Sequence, residues 1–141
     1  MLQPSQLVGI VLFCGIYKME GLTQASPTLP KIVSWGSDVS VWAYIGTRDK
    51  NSPLIRQAST YYHVTQDFPA TFISGGNGDP LTNAQSIPLA QELSSLNVPT
   101  TTLFYPQNHE PSLPHEYQFN YDSDGKNAFA EMVQFLKDRA Q

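Results

Sequence analysis

An apolar segment near the start of the chain limits the possible folds more than any other feature. Residues 7–13 (LVGIVLF) are apolar without interruption and include the β-branched residues Val8, Ile10 and Val11. A strand with one solvated face alternates apolar and polar residues, whereas a strand of a parallel sheet is covered by helices on both faces. The segment therefore predicts a buried strand in a parallel sheet.

Two further strands, joined by helices, follow this first one. Residues 70–74 come after Pro69 and form the second predicted strand, and residues 100–105 form the third. Strands that alternate with helices indicate a parallel sheet with right-handed crossovers, so the predicted fold class is α/β. The 141 residues are enough for one domain with one core. Apolar periodicity predicts helices over residues 38–44, 82–96 and 125–139, and residues 54–61 form another short segment. Because of Pro88, the helix over 82–96 either starts near Ser86 or is kinked, and Asn97 is its expected C-cap. The expected buried face of the last helix is Phe129, Met132, Val133 and Leu136.

Charge and length exclude several kinds of partner. The formal net charge is −4 and the 8 Lys and Arg residues are scattered, so we expect neither a nucleic-acid partner nor an anionic membrane surface. The apolar run is too short to span a bilayer as a helix. No Lys or Arg precedes it and no small-residue cleavage site closes it, so we expect no signal peptide.

The sequence has a single cysteine, Cys14, which lies at the end of the apolar run. One cysteine cannot form an internal disulfide, and no CxxC pair is present to bind zinc. We interpret Cys14 as a small buried hydrophobic residue. The lone cysteine and the missing signal peptide predict a cytoplasmic protein.

Ionisable residues follow the second and third predicted strands. The segment SGGNGDPL (residues 74–81) places Asp79 just beyond the second strand, and His109 and His115 lie in the loop after the third. Ligands and catalytic groups collect at the carboxyl ends of parallel strands, so we expect the acid to lie near one histidine. Such an acid orients an imidazole as a general base, which makes Asp79 and one histidine candidate catalytic residues.

Two other interpretations of SGGNGDPL stay open. A plain surface turn is the simpler one, because Asn-Gly and Asp-Pro are common turn dipeptides. A phosphate-binding loop is weaker, since the glycines do not match GxGxxG and no GxxxxGK[ST] is present. The histidines lack an HExxH pattern and a convincing third ligand, so we expect no metal site and no cofactor.

Three segments resemble a known family of enzymes. VGIVLFCGIY (8–17), TFISGGNGDPLTNAQSIPLAQELSSLNVPTTTLFYP (71–106) and LPHEYQF (113–119), followed by an amphipathic helix, are similar to α/β-hydrolase-fold esterases and lipases. The relevant branch is the hormone-sensitive-lipase-like and carbohydrate-esterase-like one. The resemblance covers nearly all of the chain. It implies that the chain is the C-terminal portion of an α/β-hydrolase fold.

The resemblance also implies roles for individual residues. In that family the catalytic triad runs Ser, then Asp or Glu, then His. The acid corresponds to Asp79 and the histidine to His115 in HEYQF, with His109 as the fallback. Residues 21–66 correspond to a cap-like insertion over an acyl pocket, and the expected substrate is a small acyl ester. We expect five aromatic residues to pack that cap, namely Trp35, Trp42, Tyr44, Tyr61 and Tyr62.

The chain departs from the family at the nucleophile. The GxSxG elbow and the HGG-type oxyanion segment are absent, and Ser34 in VSWGSDV has no glycine two residues before it. We therefore expect the serine to lie upstream of Met1, and no ester hydrolysis by the chain alone. The first strand would have an unpaired edge, which favours a homo-oligomer or pairing with a separate N-terminal half. The alternative is an inactive hydrolase-derived module that acts through self-association or ligand binding.

Overall fold

Three parallel strands form the sheet of this protein. The computed structural model describes residues 6–23 and 31–140. Within them the strands are β1 (Ile10–Phe13), β2 (Thr71–Gly75) and β3 (Thr100–Phe104), in the order β1-β2-β3. Both pairings are parallel. A small parallel sheet with flanking helices confirms the predicted α/β class at this level.

The middle strand, β2, is the centre of the core. All five of its residues are buried, and Phe72 and Ile73 are 0% exposed. Every residue of β1 is only half-buried, although the sequence predicted a fully buried strand there. The difference follows from position, because β2 has a strand on each side whereas β1 has one neighbour among the described strands.

Five helices are described outside the sheet. They are α1 (Met19–Thr23), α2 (Lys31–Ile45), α3 (Pro53–Gln57), α4 (Ile87–Ser95) and α5 (Ser123–Arg139). None of these five combines the length and the apolar character that a membrane-spanning segment needs.

The helical segment between β2 and β3 accommodates a proline. A π-helical turn, Thr82–Ser86, leads directly into α4, and Pro88 is the second residue of α4. The widened π turn is where the helix adjusts to the proline, which lacks a backbone donor. Leu89 and Leu93 are 0% exposed, so they form the buried stripe of this helix. Asn97 follows with a φ of 60°, the left-handed conformation that commonly ends a helix.

Helix α5 buries only part of the predicted face. Of the four residues that the periodicity placed inside, Phe129 is 61% exposed and Leu136 is 38% exposed, whereas Met132 and Val133 are half-buried. The buried residues are instead Gly125, Ala128 and Phe135. The reason lies in the contacts with the sheet, because the Phe135 ring packs 5.9 Å from that of Phe72.

The chain divides into two compact units. One comprises Met1–Gly15 and Val64–Gln141 and contains the sheet, α4 and α5; the other is Ile16–His63 and contains α1, α2 and α3. The predicted insertion, residues 21–66, largely coincides in sequence with the second unit. Its role as a cap stays a prediction.

The Ile16–His63 unit has its own polar and apolar contacts. Val41 and Ile55 are buried, and the Ser59 hydroxyl donates to the Ile55 carbonyl at 2.7 Å and accepts from the Met19 amide at 2.9 Å. Helix α2 begins at Lys31, earlier than the predicted start at residue 38. The expectation that the aromatic residues pack inside is wrong for three of them: the exposed fractions are 68% for Trp35, 43% for Trp42 and 80% for Tyr44.

Truncation of the buried stripe of α4 should destabilise the protein. We expect Leu93→Ala to lower the free energy of unfolding by about 3 kcal/mol, because it removes a fully buried side chain and leaves a cavity. Leu136→Ala is the matched control on α5, and it should cost less than about 1 kcal/mol because that side chain is partly exposed. Urea unfolding followed by circular dichroism measures both. Equal losses would contradict this assignment of the core.

Candidate functional site

An aspartate and a histidine from different loops form a hydrogen-bonded pair at the carboxyl edge of the sheet. Asp79 Oδ2 lies 2.8 Å from His115 Nδ1. Asp79 follows β2 and His115 follows β3, so the topology joins residues that are 36 positions apart. An ionised carboxylate only accepts hydrogen bonds, so Nδ1 carries the shared proton and Nε2 is left as the basic nitrogen.

The two partners differ in their exposure. The Asp79 side chain is 2% exposed, whereas that of His115 is 45% exposed. The second carboxylate oxygen of Asp79, Oδ1, accepts a hydrogen bond from the Leu81 amide at 2.9 Å. The acid is therefore held rigidly within the protein, while the imidazole that it orients is open to solvent and to a substrate.

The loop SGGNGDPL binds the histidine loop directly through Asn77. The Asn77 side chain donates to the His109 carbonyl at 3.0 Å and accepts from the Leu113 amide at 2.8 Å. The Gly78 amide also donates to the Leu113 carbonyl at 2.9 Å. These three hydrogen bonds fix the distance between the loop of Asp79 and the loop of His115.

Glycine at position 76 is required by the close approach of the two loops. A Cβ atom on Gly76 would overlap with the carbonyl oxygen of Leu113, which is backbone and cannot move aside. At Gly78 an added Cβ would overlap with the Ser112 hydroxyl. The glycine-rich sequence therefore serves loop packing, and the phosphate-binding interpretation loses its main support.

His109, the alternative candidate for the catalytic histidine, lies beside Asp124 and not beside Asp79. Its Nε2 is 3.3 Å from Asp124 Oδ1, but the two atoms do not have hydrogen-bond geometry. The Tyr105 ring packs against the His109 ring at 4.4 Å. The structure thus brings Asp79 together with His115, and His109 together with the first turn of α5. The catalytic role of either histidine stays a prediction.

Cys14 lies beside the Asp79–His115 pair. Its Sγ, a ring nitrogen of His115 and a carboxylate oxygen of Asp79 are all within 4.8 Å of one another. The residue follows β1 directly and has a φ of 51°, a left-handed conformation that residues other than glycine seldom adopt. It is half-buried rather than fully buried, so its interpretation as a simple core residue is wrong.

Two hydrogen bonds hold the Cys14 thiol. Sγ accepts from the Glu116 amide at 3.1 Å, and its proton is donated to the Gln118 side-chain oxygen at 3.3 Å. Burial raises the pKa of the thiol, and the negative charges of Asp79 and Glu116 raise it further. The hydrogen bond from the Glu116 amide acts in the opposite direction but is outweighed.

A buried hydrogen-bond network of Ser74, Tyr117 and Gln118 lies next to the site. The Ser74 and Tyr117 hydroxyls are 2.8 Å apart, and the Gln118 amide donates to Ser74 Oγ at 3.2 Å. Tyr117 is 0% exposed, and burial raises its pKa well above the ordinary value, so the hydroxyl stays protonated. Because Gln118 also contacts Cys14, the network connects the end of β2 with the thiol.

The three ligand types at this site are ones that zinc accepts. Among the described residues, Cys14, Asp79 and His115 form a candidate metal cluster, so the expectation of no third ligand overlooked Cys14. However, Asp79 and His115 are already hydrogen bonded to each other through Nδ1, and the second carboxylate oxygen binds a backbone amide. A metal bound to Asp79 Oδ2 and His115 Nδ1 would have to displace that shared proton. The arrangement is therefore better suited to proton transfer.

Comparisons of the chain with protein-family models, with curated proteins and with solved structures find no match. The similarity to α/β-hydrolase esterases therefore stays a resemblance of residues. A functional conclusion depends on the geometry of the site itself.

Sequence patterns pointed to some of these residues and not to others. Asp79 and His115 follow strands, and strand ends are where a parallel sheet places its chemistry. Cys14 also follows a strand, so the same rule applied to it, but its apolar neighbours made it appear structural. The side chain of Ser34 lies outside the described residues, so the expectation that Ser34 is not the nucleophile stays a prediction.

Filling the space at Gly76 should separate the two loops. We expect Gly76→Ala to lower the free energy of unfolding by about 2 kcal/mol, because the new methyl group overlaps with backbone. Gly36→Ala is the matched control: nothing lies within 4 Å of its added Cβ, and alanine favours helix by about 1 kcal/mol, so α2 should gain stability. Urea denaturation of both variants is the measurement. A neutral effect at Gly76 would show that the loops are not in this contact.

Proposed function

We propose that the chain is the C-terminal part of a carboxylic-ester hydrolase of the α/β-hydrolase type, and that it supplies the acid and the histidine of the catalytic triad. The observation that supports the proposal is the 2.8 Å hydrogen bond between buried Asp79 and exposed His115. The fold supports it as well, because the pair lies at the carboxyl ends of β2 and β3.

The proposed mechanism gives the two residues different tasks. His115 is the general base: its Nε2 takes the proton of the attacking nucleophile and later gives it to the leaving alcohol. Asp79 does not react itself. It holds the imidazole in the tautomer with the proton on Nδ1 and stabilises the positive charge that develops on the ring. The substrate is a small acyl ester.

No serine of this sequence matches a nucleophile elbow. Ser74, which lies within β2, is 0% exposed and is bound by Tyr117 and Gln118, so a substrate cannot reach it. In the proposed enzyme the serine comes from polypeptide outside this sequence. Without that serine the acyl-transfer mechanism is incomplete, so any hydrolysis by the chain itself is limited to water that His115 activates.

Removal of the general base should abolish that hydrolysis. We expect His115→Ala to reduce kcat for p-nitrophenyl acetate by about 100-fold or more, which is the usual contribution of a general base. Asp79→Asn should lower kcat with KM unchanged, because an amide does not hold the imidazole in the reactive tautomer. Release of p-nitrophenol, measured from pH 5 to 9, gives kcat and KM for each variant.

His63 offers a matched control within the same chain. It is exposed, and its Nε2 lies 3.0 Å from the Gln57 carbonyl rather than beside a carboxylate. His63→Ala should therefore leave the rate unchanged. If the three variants hydrolyse the ester as fast as the native chain does, the proposed function is wrong.

A second candidate function, self-association without catalysis, has support from the edge of the sheet. All four residues of β1 are half-buried, whereas all five of β2 are buried. Val8, just before β1, is 58% exposed. An apolar strand with an open edge favours pairing with a second copy of the chain.

The mass of the protein in solution tests this candidate. We expect sedimentation equilibrium to give a mass above that of one 15.7 kDa chain, and Val8→Lys to restore the monomer because a charge at the edge opposes strand pairing. Phe129→Lys is the control, since Phe129 is similarly exposed but lies on α5. A monomer at all concentrations would exclude self-association.

A further inference from the structure

We propose that Cys14 is the nucleophile of the Asp79–His115 site and that it accepts the acyl group of an ester as a thioester. This inference rests on the proposed function, and it places a nucleophile inside the chain instead of on a serine elsewhere. Neither the sequence pattern nor the resemblance to esterases assigns a role to this cysteine.

The first support is proximity. Cys14, Asp79 and His115 belong to the same compact unit, and Cys14 Sγ, a ring nitrogen of His115 and a carboxylate oxygen of Asp79 lie within 4.8 Å of one another. A nucleophile and its base need hydrogen-bond reach in the reacting complex, and without substrate the distance is often longer. The His115 side chain is exposed and Cys14 is half-buried, so neither residue is enclosed in the core.

The second support is the way in which the three groups divide the roles of acyl transfer. His115 Nδ1 is used by Asp79, so the remaining ring nitrogen is the one available to a thiol. A nucleophile, a base and an acid that orients the base form a complete set for acyl transfer. Both carboxylate oxygens of Asp79 accept hydrogen bonds, which suits an orienting acid better than a metal ligand.

The third support is the hydrogen bond to sulfur. The Glu116 amide donates to Cys14 Sγ at 3.1 Å, and an N–H donor stabilises negative charge that develops on sulfur as the proton leaves. Glu116 itself has a φ of 63°, a left-handed conformation that residues other than glycine seldom adopt. The uncommon backbone conformation thus occurs at the residue whose amide binds the thiol.

The chemical step is a balanced acyl exchange. His115 takes the thiol proton as the Cys14 sulfur attacks the ester carbonyl, a C–S bond forms, and the C–O bond to the alcohol breaks. The proton then passes from His115 to the leaving alkoxide, which gives a thioester and a free alcohol. In the second half His115 takes a proton from water, whose oxygen attacks the thioester carbonyl. The C–S bond breaks, the carboxylic acid leaves, and His115 returns the proton to the sulfur, which regenerates the thiol.

Two reagents distinguish an assisted thiol from an ordinary one. Iodoacetamide reacts with the thiolate only, and burial raises the pKa of the Cys14 thiol. The folded chain should therefore be alkylated more slowly than the chain unfolded in about 8 M urea. Acylation by p-nitrophenyl acetate, by contrast, should be faster in the folded chain, because His115 removes the proton during attack. Cys14 is the only cysteine of the sequence, so intact mass reports each adduct and peptide mapping assigns it.

The pH dependence provides a second readout. The raised pKa of Cys14 means that the alkylation rate should reach half its maximum above the ordinary pH for a cysteine thiol. The ionisable groups near the thiol are Asp79, His115, Glu116 and Tyr117. Acylation should not follow the pH profile of alkylation, because His115 removes the thiol proton during the attack.

Variants separate this inference from the proposed function. His115→Ala should slow acylation by about 100-fold and leave alkylation nearly unchanged. Cys14→Ala and Cys14→Ser should form no acyl adduct at position 14, and they should lower ester turnover. Two variants are used because alanine removes the hydrogen bonds that the thiol makes with Glu116 and Gln118, whereas serine keeps a hydroxyl that can replace them. His63→Ala should behave as the native chain does.

Three outcomes would overturn the inference. If the folded chain is acylated no faster than the chain in urea, or if acylation is independent of His115, Cys14 is an ordinary thiol. If turnover depends on His115 and Asp79 but not on Cys14, the proposed function stands and this inference fails. If zinc chloride binds the native chain, blocks acylation and is lost in Cys14→Ala, the cluster is a metal site instead. If ester turnover depends on none of His115, Asp79 and Cys14, the proposed function itself is rejected.

Discussion

The contact between the loop after β2 and the loop after β3 is the interaction on which the site depends. The side chain of Asn77 binds the histidine loop at two points, the His109 carbonyl and the Leu113 amide. Glycine at position 76 lets the Leu113 carbonyl approach the backbone more closely than any side chain would permit. Without this contact Asp79 would still follow a buried strand, but His115 would have no fixed position beside it.

Asp79 and His115 differ in exposure, and this difference suits their proposed tasks. An orienting acid works best when it is buried and fully hydrogen bonded, as Asp79 is. A general base must reach the substrate, and the His115 side chain is 45% exposed. Cys14 lies between these extremes, and its thiol is held by the same HEYQF segment that contains the histidine. One short segment thus positions the base and contacts the thiol.

The secondary structure was largely predictable because its signals are local. The apolar strands, the helix after SGGNGDPL and the stop at Asn97 all follow from periodicity and from backbone preferences of a few adjacent residues. The buried face of α5 was not predictable in this way. Phe129 and Leu136 fit the apolar stripe, yet Phe135 is the residue that packs on Phe72, because the sheet and not the helix decides which side is covered.

By itself the sequence determined the fold class and the two loops in which Asp79 and the candidate histidines lie, since strand ends and turn residues are short-range features. Only the tertiary structure decided which histidine meets Asp79, because His109 and His115 have equivalent local contexts and differ in their distant partners. The tertiary structure also decided the position of Cys14, which its apolar neighbours in the sequence had assigned to the core. Its proximity to His115 arises from the parallel order β1-β2-β3, which joins the ends of strands that are far apart along the chain.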